Sequence, residues 1–316
     1  MSPIFQGMRS SYLAAVVVVC AAGTAQGADE PLDLMVDKPD VVAQVQVGAL
    51  LKSPGFKQLA SDKPEINAKL DEPLGKKTKL TMRDLKSVFV SAVTSKQEFA
   101  VVITTSKDIG PDDVTPDEGA TKEAVGDYEV YVQADDKAVC LIDERTVMMA
   151  PTAVLKAILK RDDDAETTDE FEAVWEEVDD EQPVYVVATL GPLMQQAGAA
   201  LPPNFPLAPP VLQKIKSGTL SAGLEAGVEI ALDLDCTDAE TAMQLKSLID
   251  VVVQTQAGAA TTPPPIKSLL GGIKAGTDEE FLTIDIKAGI DVLVTLGMMG
   301  TTVPGGAAPP PAPPKP

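Results

Sequence analysis

The chain has 316 residues, 47 acidic side chains against 26 basic ones, a net charge of −21 and no histidine. Without histidine there can be no Ser-His-Asp triad, no Cys-His dyad and no His-based zinc site, and the commonest general base is missing. So acidic a surface repels nucleic acid and anionic lipid headgroups, and aromatic residues at 4 % supply few stacking platforms for sugars or bases.

The N-terminus reads as an export signal. Arg9 gives the positive n-region, Tyr12–Ala22 an uncharged apolar core, and Gly23-Thr24-Ala25-Gln26-Gly27 a small-residue exit. This order predicts a secretory signal peptide over residues 1–27, cut between Gly27 and Ala28, and places the protein in the periplasm or outside the cell. The apolar core is well short of the ~20 residues a spanning helix needs, so no transmembrane anchor is expected. The later apolar run from Ile284 to Val303 is interrupted by Asp285, Lys287 and Asp291. Cleavage would remove one base and leave 25 bases against 47 acids, a net charge of −22. Cys140 and Cys236 would remain. Export makes a disulfide between them chemically possible, but each sits in or beside an expected strand of a different half, so two separate buried thiols are expected.

In chain order, Val41 to Val47 alternates, with Val41, Ala43, Val45 and Val47 on the expected buried face and Gln44 and Gln46 on the other. Ser53 as N-cap and Pro54 at the first helical position start a short helix. Residues 62–79 are polar and lysine-rich, a loop or loose helix. Leu85 to Val93 and Phe99 to Thr105 read as strands about a turn at Ser95-Lys96-Gln97. The stretch 108–122, rich in acids, proline and glycine, reads as a surface loop. Tyr128 to Ala134, Ala138 to Ile142 and Thr146 to Ala150 form a meander, its turns carried by Asp135-Asp136-Lys137 and Asp143-Glu144-Arg145. A helix starting at Pro151 should bury Val154, Leu155, Ile158 and Leu159. Thr167 and Glu170 then suggest a capping box, ahead of an amphipathic helix with Phe171, Val174, Trp175 and Val178 on one face.

The second half repeats this order. Val184 to Leu190 is a strand, Leu193 to Ala200 a helix, and Pro202 to Pro210 a proline-rich loop. Leu220 to Leu224 and Val228 to Leu234 are strands. Thr237 and Glu240 suggest a second capping box, with Ala242, Leu245, Leu248, Ile249 and Val252 buried behind it. Phe281 to Ile286 and Ile290 to Leu296 should close the sheet. Residues 304–316 hold seven prolines in thirteen positions and read as a polyproline-like tail. Lys86-Ser87 with Ser91-Ala92 recurs as Lys216-Ser217 with Ser221-Ala222 at the same spacing. The expectation is an α+β protein with antiparallel sheets, helices packed on one face, and internal duplication of one strand–helix–sheet unit. The first repeat would span 28–165, a connecting amphipathic helix 166–181, and the second repeat 182–303.

The layout resembles a family of secreted proteins of unknown function from planctomycete-type bacteria. The residues that carry the resemblance are Leu50-Leu51-Lys52-Ser53-Pro54, Glu144-Arg145-Thr146-Val147-Met148-Met149-Ala150 and Thr237-Asp238-Ala239-Glu240, with Glu144 where the family pattern has Asp. The resemblance implies export and a duplicated α+β unit, and no activity.

The candidate chemistry is sparse. Asp108, Asp112, Asp113, Asp117 and Glu118 share an acidic loop that could fold around Ca²⁺. In Asp162-Asp163-Asp164 neighbouring side chains diverge, so the run reads as a solvated helix terminus. Lys86 and Lys216 read as outward or edge-strand lysines that discourage sheet-to-sheet aggregation, with symmetric anion binding as the alternative. No short motif assembles a catalytic group, and no cofactor is implied. The expected function is an exported acidic, non-catalytic binding or structural protein. Its partners would be a cationic polymer, a divalent cation or a basic protein. A carrier for a lipid or other apolar ligand and a His-independent hydrolase are the alternatives. The first of these expectations is checked by the mass of the exported chain, which should begin at Ala28; a native chain that still contains Tyr12 would refute it.

Overall fold

A computed structural model describes residues 32–74, 80–114, 120–133, 135–176, 178, 182–191 and 209–292. The signal segment with Gly27 and Ala28, Asp117 and Glu118, residues 193–200, most of the proline-rich loop and the tail from 304 lie outside them. The described chain forms the α+β, antiparallel architecture expected. Twelve strands make one sheet in the order β11-β12-β10-β9-β8-β1-β2-β3-β7-β6-β5-β4. They are β1 (Val41–Val45), β2 (Leu85–Val93), β3 (Glu98–Thr105), β4 (Thr121–Val125), β5 (Tyr128–Val132), β6 (Lys137–Asp143), β7 (Thr146–Pro151), β8 (Val184–Thr189), β9 (Ile215–Gly223), β10 (Val228–Cys236), β11 (Ile273–Asp278) and β12 (Phe281–Ala288). Among the described residues the helices are α1 (Val47–Leu50), α2 (Pro54–Asp62), α3 (Pro64–Leu70), α4 (Pro111–Val114), α5 (Thr152–Ile158), α6 (Asp169–Trp175), α7 (Pro209–Leu212), α8 (Ala239–Gly258) and α9 (Pro264–Gly271).

The sheet is built outward from one pair. β1 lies antiparallel to β8, from Val41 opposite Ala188 to Val45 opposite Val184, with Ala43 facing Val186 at the centre. From there the two halves run alike: β1-β2-β3-β7-β6 one way, β8-β9-β10-β12-β11 the other. The registers match as well. Ser91 stands opposite Val42 and Ser221 opposite Tyr185, the second residues of β1 and β8. Lys86 is skipped between the pairs Leu85–Thr105 and Ser87–Thr104, and Lys216 between Ile215–Cys236 and Ser217–Asp235. Each repeated lysine is therefore the extra residue of a β-bulge. Neither β2 nor β9 is an edge strand, which corrects the reading of these lysines as edge guards. What differs is the insertion between equivalent strands: α4, β4 and β5 join β3 to β6, whereas α8 and α9 join β10 to β11.

Packing follows from strand alternation. Phe89, Val102, Cys140, Met148, Tyr185 and Val187 belong to the largest apolar cluster, which α5 closes with Leu155 and Ile158 and α6 with Phe171 and Val174. Trp175 stacks on Phe171 at 5.7 Å and meets Tyr185 edge-on at 5.8 Å. The opposite face of the second half carries Leu234, Leu282 and Ile284, and it packs with Ala242 and Leu245 of α8. The covered face thus changes between the halves: α5 and α6 cover one face of the first half, α8 the other face of the second. A further cluster joins Val45, Val47 and Leu50 to Val184, Ala222, Leu224 and Val228, and so ties α1 to the second half.

Several local expectations are corrected. β1 stops at Val45, and Val47 already opens α1. Val42 and Gln44 are buried along with the expected Val45, while Val41 and Ala43 are half-buried, because β1 is a central strand whose two faces are both covered. Tyr185 donates from its hydroxyl to the Gln44 side-chain carbonyl at 3.2 Å, which lets the amide stay inside. The cap of α6 is Thr168, which accepts from the Phe171 N–H at 3.2 Å; the cap falls one residue later than Thr167, and with Phe171 at the third helical position it is a single cap and not a box. The cap of α8 is Asp238, which accepts from the Thr241 N–H at 2.7 Å. In both places a neighbouring Thr, Asp or Glu offers a similar oxygen, and the entry angle of the chain decides which one caps. The cap at Ser53 is as expected: its hydroxyl accepts from the Phe56 N–H at 3.0 Å.

Two contacts fasten the periphery. Arg161 holds the segment before β1, donating to the Asp37 carboxylate at 2.7 Å and to the carbonyls of Asp33 and Met35 at 2.6 and 3.0 Å. Gly55 sets α2 on the β9–β10 turn, its N–H donating to the Leu224 carbonyl at 3.2 Å. A Cβ at residue 55 would lie 2.8 Å from that carbonyl oxygen and 3.0 Å from the Glu225 carbonyl. Helix propensity alone would make Gly55→Ala stabilising by ~1 kcal/mol. The close approach reverses the sign, and a net loss of about 1–3 kcal/mol is expected from overpacking, readable in a denaturant titration of the two proteins. A stability gain would show that α2 does not seat on this turn.

Candidate functional site

The described acids of the loop, Asp108, Asp112 and Asp113, do not gather into a cation site. Asp108 is bound by Arg145, Nε to Oδ1 at 2.8 Å, and Asp113 accepts from the Gly110 N–H at 3.1 Å as a local turn. Asp112 lies exposed on α4. Among the described residues no group of three acidic or cysteine side chains is placed to hold a metal ion. The run Asp162 to Asp164 lines a shallow, open depression together with Lys38, Glu166 and Glu172. There Lys38 pairs with Glu166 at 2.9 Å, and that carboxylate raises the ammonium's pKa.

Polar side chains inside the sheet are committed to structure. Ser91 is fully buried and accepts from the Val36 N–H at 3.0 Å. Asp40, also buried, accepts from the Thr94 N–H at 2.9 Å and the Thr94 hydroxyl at 2.6 Å. Ser87 and Ser217 are buried at equivalent places on β2 and β9, while Ser221 is half-buried. Of the repeated lysines, Lys86 is exposed and Lys216 pairs with Asp235 at 3.1 Å, so the two do not form like sites. Cys140 lies in the first-half core and Cys236 in the second-half core, neither in a disulfide. Burial pushes the Cys140 thiol up to about 11. It raises Cys236 as well, with Asp235 and Asp238 adding to the effect. Both thiols are thus held protonated and poor as nucleophiles.

The surface that sets itself apart is the insertion α8–α9. Ala242 and Leu245 anchor the first turns of α8 in the core. Asp238 caps the helix, and its carboxylate is held well below the usual range by the Thr241 hydroxyl and N–H. Met243, between these two anchors, is 54 % exposed, and further along Val251 is 59 % and Val252 38 % exposed. The expectation of Val252 in the core is corrected: the buried side of α8 ends with Ala242, Leu245 and the partly buried Ile249. α9 has no fully buried residue, and Ile266, Leu269 and Leu270 are half-exposed. The sequence carries a signal for this surface in its charges: from Val251 to Thr277 there is no acidic residue, only Lys267 and Lys274, in a chain of 47 acids. Among the described residues no helix is long and apolar enough to cross a membrane.

No protein-family model matches the chain, and no curated protein matches it. Among solved structures, crystal form III of the Treponema protein TP0453 aligns with a TM-score of 0.51 at 13 % identity, over 87 % of this chain and all of that one. Crystal form I of TP0453 aligns at 0.46 and 13 % identity, over 87 % of this chain and 99 % of that one. The likeness to form III is one of fold.

The thiol geometry predicts that, in the folded protein at pH 7.5, Cys140 and Cys236 resist a thiol-specific reagent, and that both react once the chain is unfolded. Rapid native labelling of Cys140 would mean that β6 opens far more readily than its packing allows.

Proposed function

We propose that this is an exported, non-catalytic binding protein of the cell envelope or extracellular space, which docks onto a lipid surface through α8–α9. The observation that carries the reading is the outward-facing apolar side of α8 within an acid-free stretch. Exposed Val251 and Val252, followed by uncharged polar residues to the end of the helix, suit insertion among headgroups. Lys267 suits anionic lipid there, although the chain as a whole repels it; Lys274 stands opposite Asp285 on the sheet face away from α8. Apolar burial supplies the affinity and Lys267 the local attraction, so binding weakens only in part as salt rises.

The non-catalytic reading is supported by the lack of histidine and by the structural commitments of Ser91, Asp40, Cys140 and Cys236. We also read the chain as a duplication of one unit, into which the second half has acquired α8–α9 in place of α4, β4 and β5. The matching strand order and the paired bulges at Lys86 and Lys216 support that reading.

The test is co-sedimentation of the purified protein with phosphatidylglycerol–phosphatidylcholine vesicles. Binding should fall about ten-fold or more in Val251→Asp and Val252→Asp, positions exposed enough for the fold to survive, which circular dichroism verifies. Binding unchanged by either substitution, or absent from the parent protein, would remove lipid docking. Turnover of an esterase, peptidase or glycosidase substrate that is abolished by a single Ser, Asp or Glu substitution would remove the non-catalytic reading.

A further inference from the structure

The sheet ends differently on its two sides. β4 closes the first half with Lys122 and Glu123 exposed, paired to Glu129 and Lys156, a short charged edge of the kind that discourages further pairing. β11 closes the second half, and among the described residues no strand lies beyond it. The phase of its ladder is fixed by Lys287, whose N–H donates to the Gly272 carbonyl at 3.0 Å. Lys274, Gly276 and Asp278 therefore exchange bonds with Asp285, Thr283 and Phe281 of β12. The N–H and C=O groups of Ile273, Ala275 and Thr277 point away from the sheet. In the first half the strand in this place is β6, and its corresponding residues, Lys137, Val139 and Leu141, face β5. There the Gln133 N–H donates to the Lys137 carbonyl at 2.7 Å, and Tyr131 stands opposite Val139. Among the described residues the second half leaves open a row of backbone groups that the first half fills.

We propose that a second copy of this chain fills it, β11 against β11 and antiparallel, with Ala275 facing its own mate on a two-fold axis. The strand is self-complementary in this register. Ile273 meets Thr277 of the mate, so all three outward residues fall on bonded pairs and about six N–H···O bonds form. Lys274 comes opposite Gly276, which offers no side chain to crowd it. It also lies diagonal to Asp278 of the mate, twice over by symmetry, at a separation long side chains reach. Two chains of net charge −21 repel, and the outward residues of β11 add nothing to that repulsion, since the strand carries no acid before Asp278. The axis stands perpendicular to the sheet, so both α8–α9 pairs lie side by side on one face of a continuous 24-stranded sheet, about twice the strand count of one chain. The dimer does not depend on what α8–α9 binds; if that is lipid, the two surfaces engage together.

Sedimentation velocity on the purified protein, up to about 100 μM, should show a dimer. Thr277→Pro removes an outward N–H and no bond of the β11–β12 ladder, so the dissociation constant should rise about ten-fold or more, while Thr277→Val leaves it near the parent value. Register is read directly by mixing Lys274→Cys protein with Gly276→Cys protein. These positions form a non-bonded pair with Cα atoms about 4.5 Å apart, within disulfide range, so mild oxidation should link the two variants. A monomer throughout the concentration range overturns the proposal. So does a dimer indifferent to Thr277→Pro whose mixed cysteines fail to link, which would place the contact elsewhere. Lipid binding by a strictly monomeric protein would overturn the dimer and leave the docking surface standing.

Discussion

Everything in this fold hangs on the antiparallel contact of β1 with β8. These strands come from opposite halves of the chain, about 140 residues apart, and their pairing makes one sheet of what would otherwise be two. β1 has strands on both sides and cover on both faces, and that is why a glutamine within it and the aspartate just before it stay inside. Gln44 is satisfied by Tyr185 from the other half, and Asp40 by Thr94 at the end of the neighbouring hairpin. Removing either partner would strand a buried polar group, which costs more than the bond itself contributes.

From that pair outward, symmetry and its breaking account for the molecule. Both halves carry the same bulge at the same distance from the centre, and in each the lysine is the residue left over. A bulge increases local twist and turns the strand end. The connections differ: α1, α2 and α3 join β1 to β2, and after β3 and β10 the insertions are of different kinds. The first half spends its insertion on two more strands and ends in a charged edge. The second spends it on a long helix and a short one, and keeps both an uncovered apolar helical surface and an open strand.

These two features share a physical origin. α8 packs on β11 and β12 through its first turns and on α9 beside it. Its exposed apolar side, next to a strand with no described neighbour, is a surface whose apolar area and backbone groups are still available for burial. No acid stands between Val251 and Thr277 to hinder that burial, and the chain has a second, longer acid-free stretch at 182–224.

How much of this was legible beforehand depended on the range of the interaction. Local rules read correctly where neighbours in sequence decide the outcome. The hairpin of β2 and β3, the meander of β5 to β7, the Ser53 cap and the buried face of α5 at Leu155 and Ile158 all follow from turn chemistry and periodicity. The one-residue errors at the caps of α6 and α8 arose where two or three adjacent oxygens could cap equally well and only the path of the incoming chain chose. The sequence also marked Lys86 and Lys216 as equivalent, but not as bulges, because a bulge is a relation between two strands. Gln44 was assigned to solvent since alternation assumes one wet face, and only the arrival of β8 and the covering layers made that face dry. Val252 was assigned to the core since its spacing along α8 is that of a buried stripe, and only the width of the sheet shows that no layer reaches it. By itself the sequence determined most of the strands, the charge and the lack of histidine chemistry; it does not mark β4 or β11, and its periodicity places Ile290 in a closing strand where the chain makes a helical turn. The tertiary structure decided which strand is central, which polar groups are shared between halves, and which edge and which helix face remain open, because each depends on contacts between residues that the chain holds far apart.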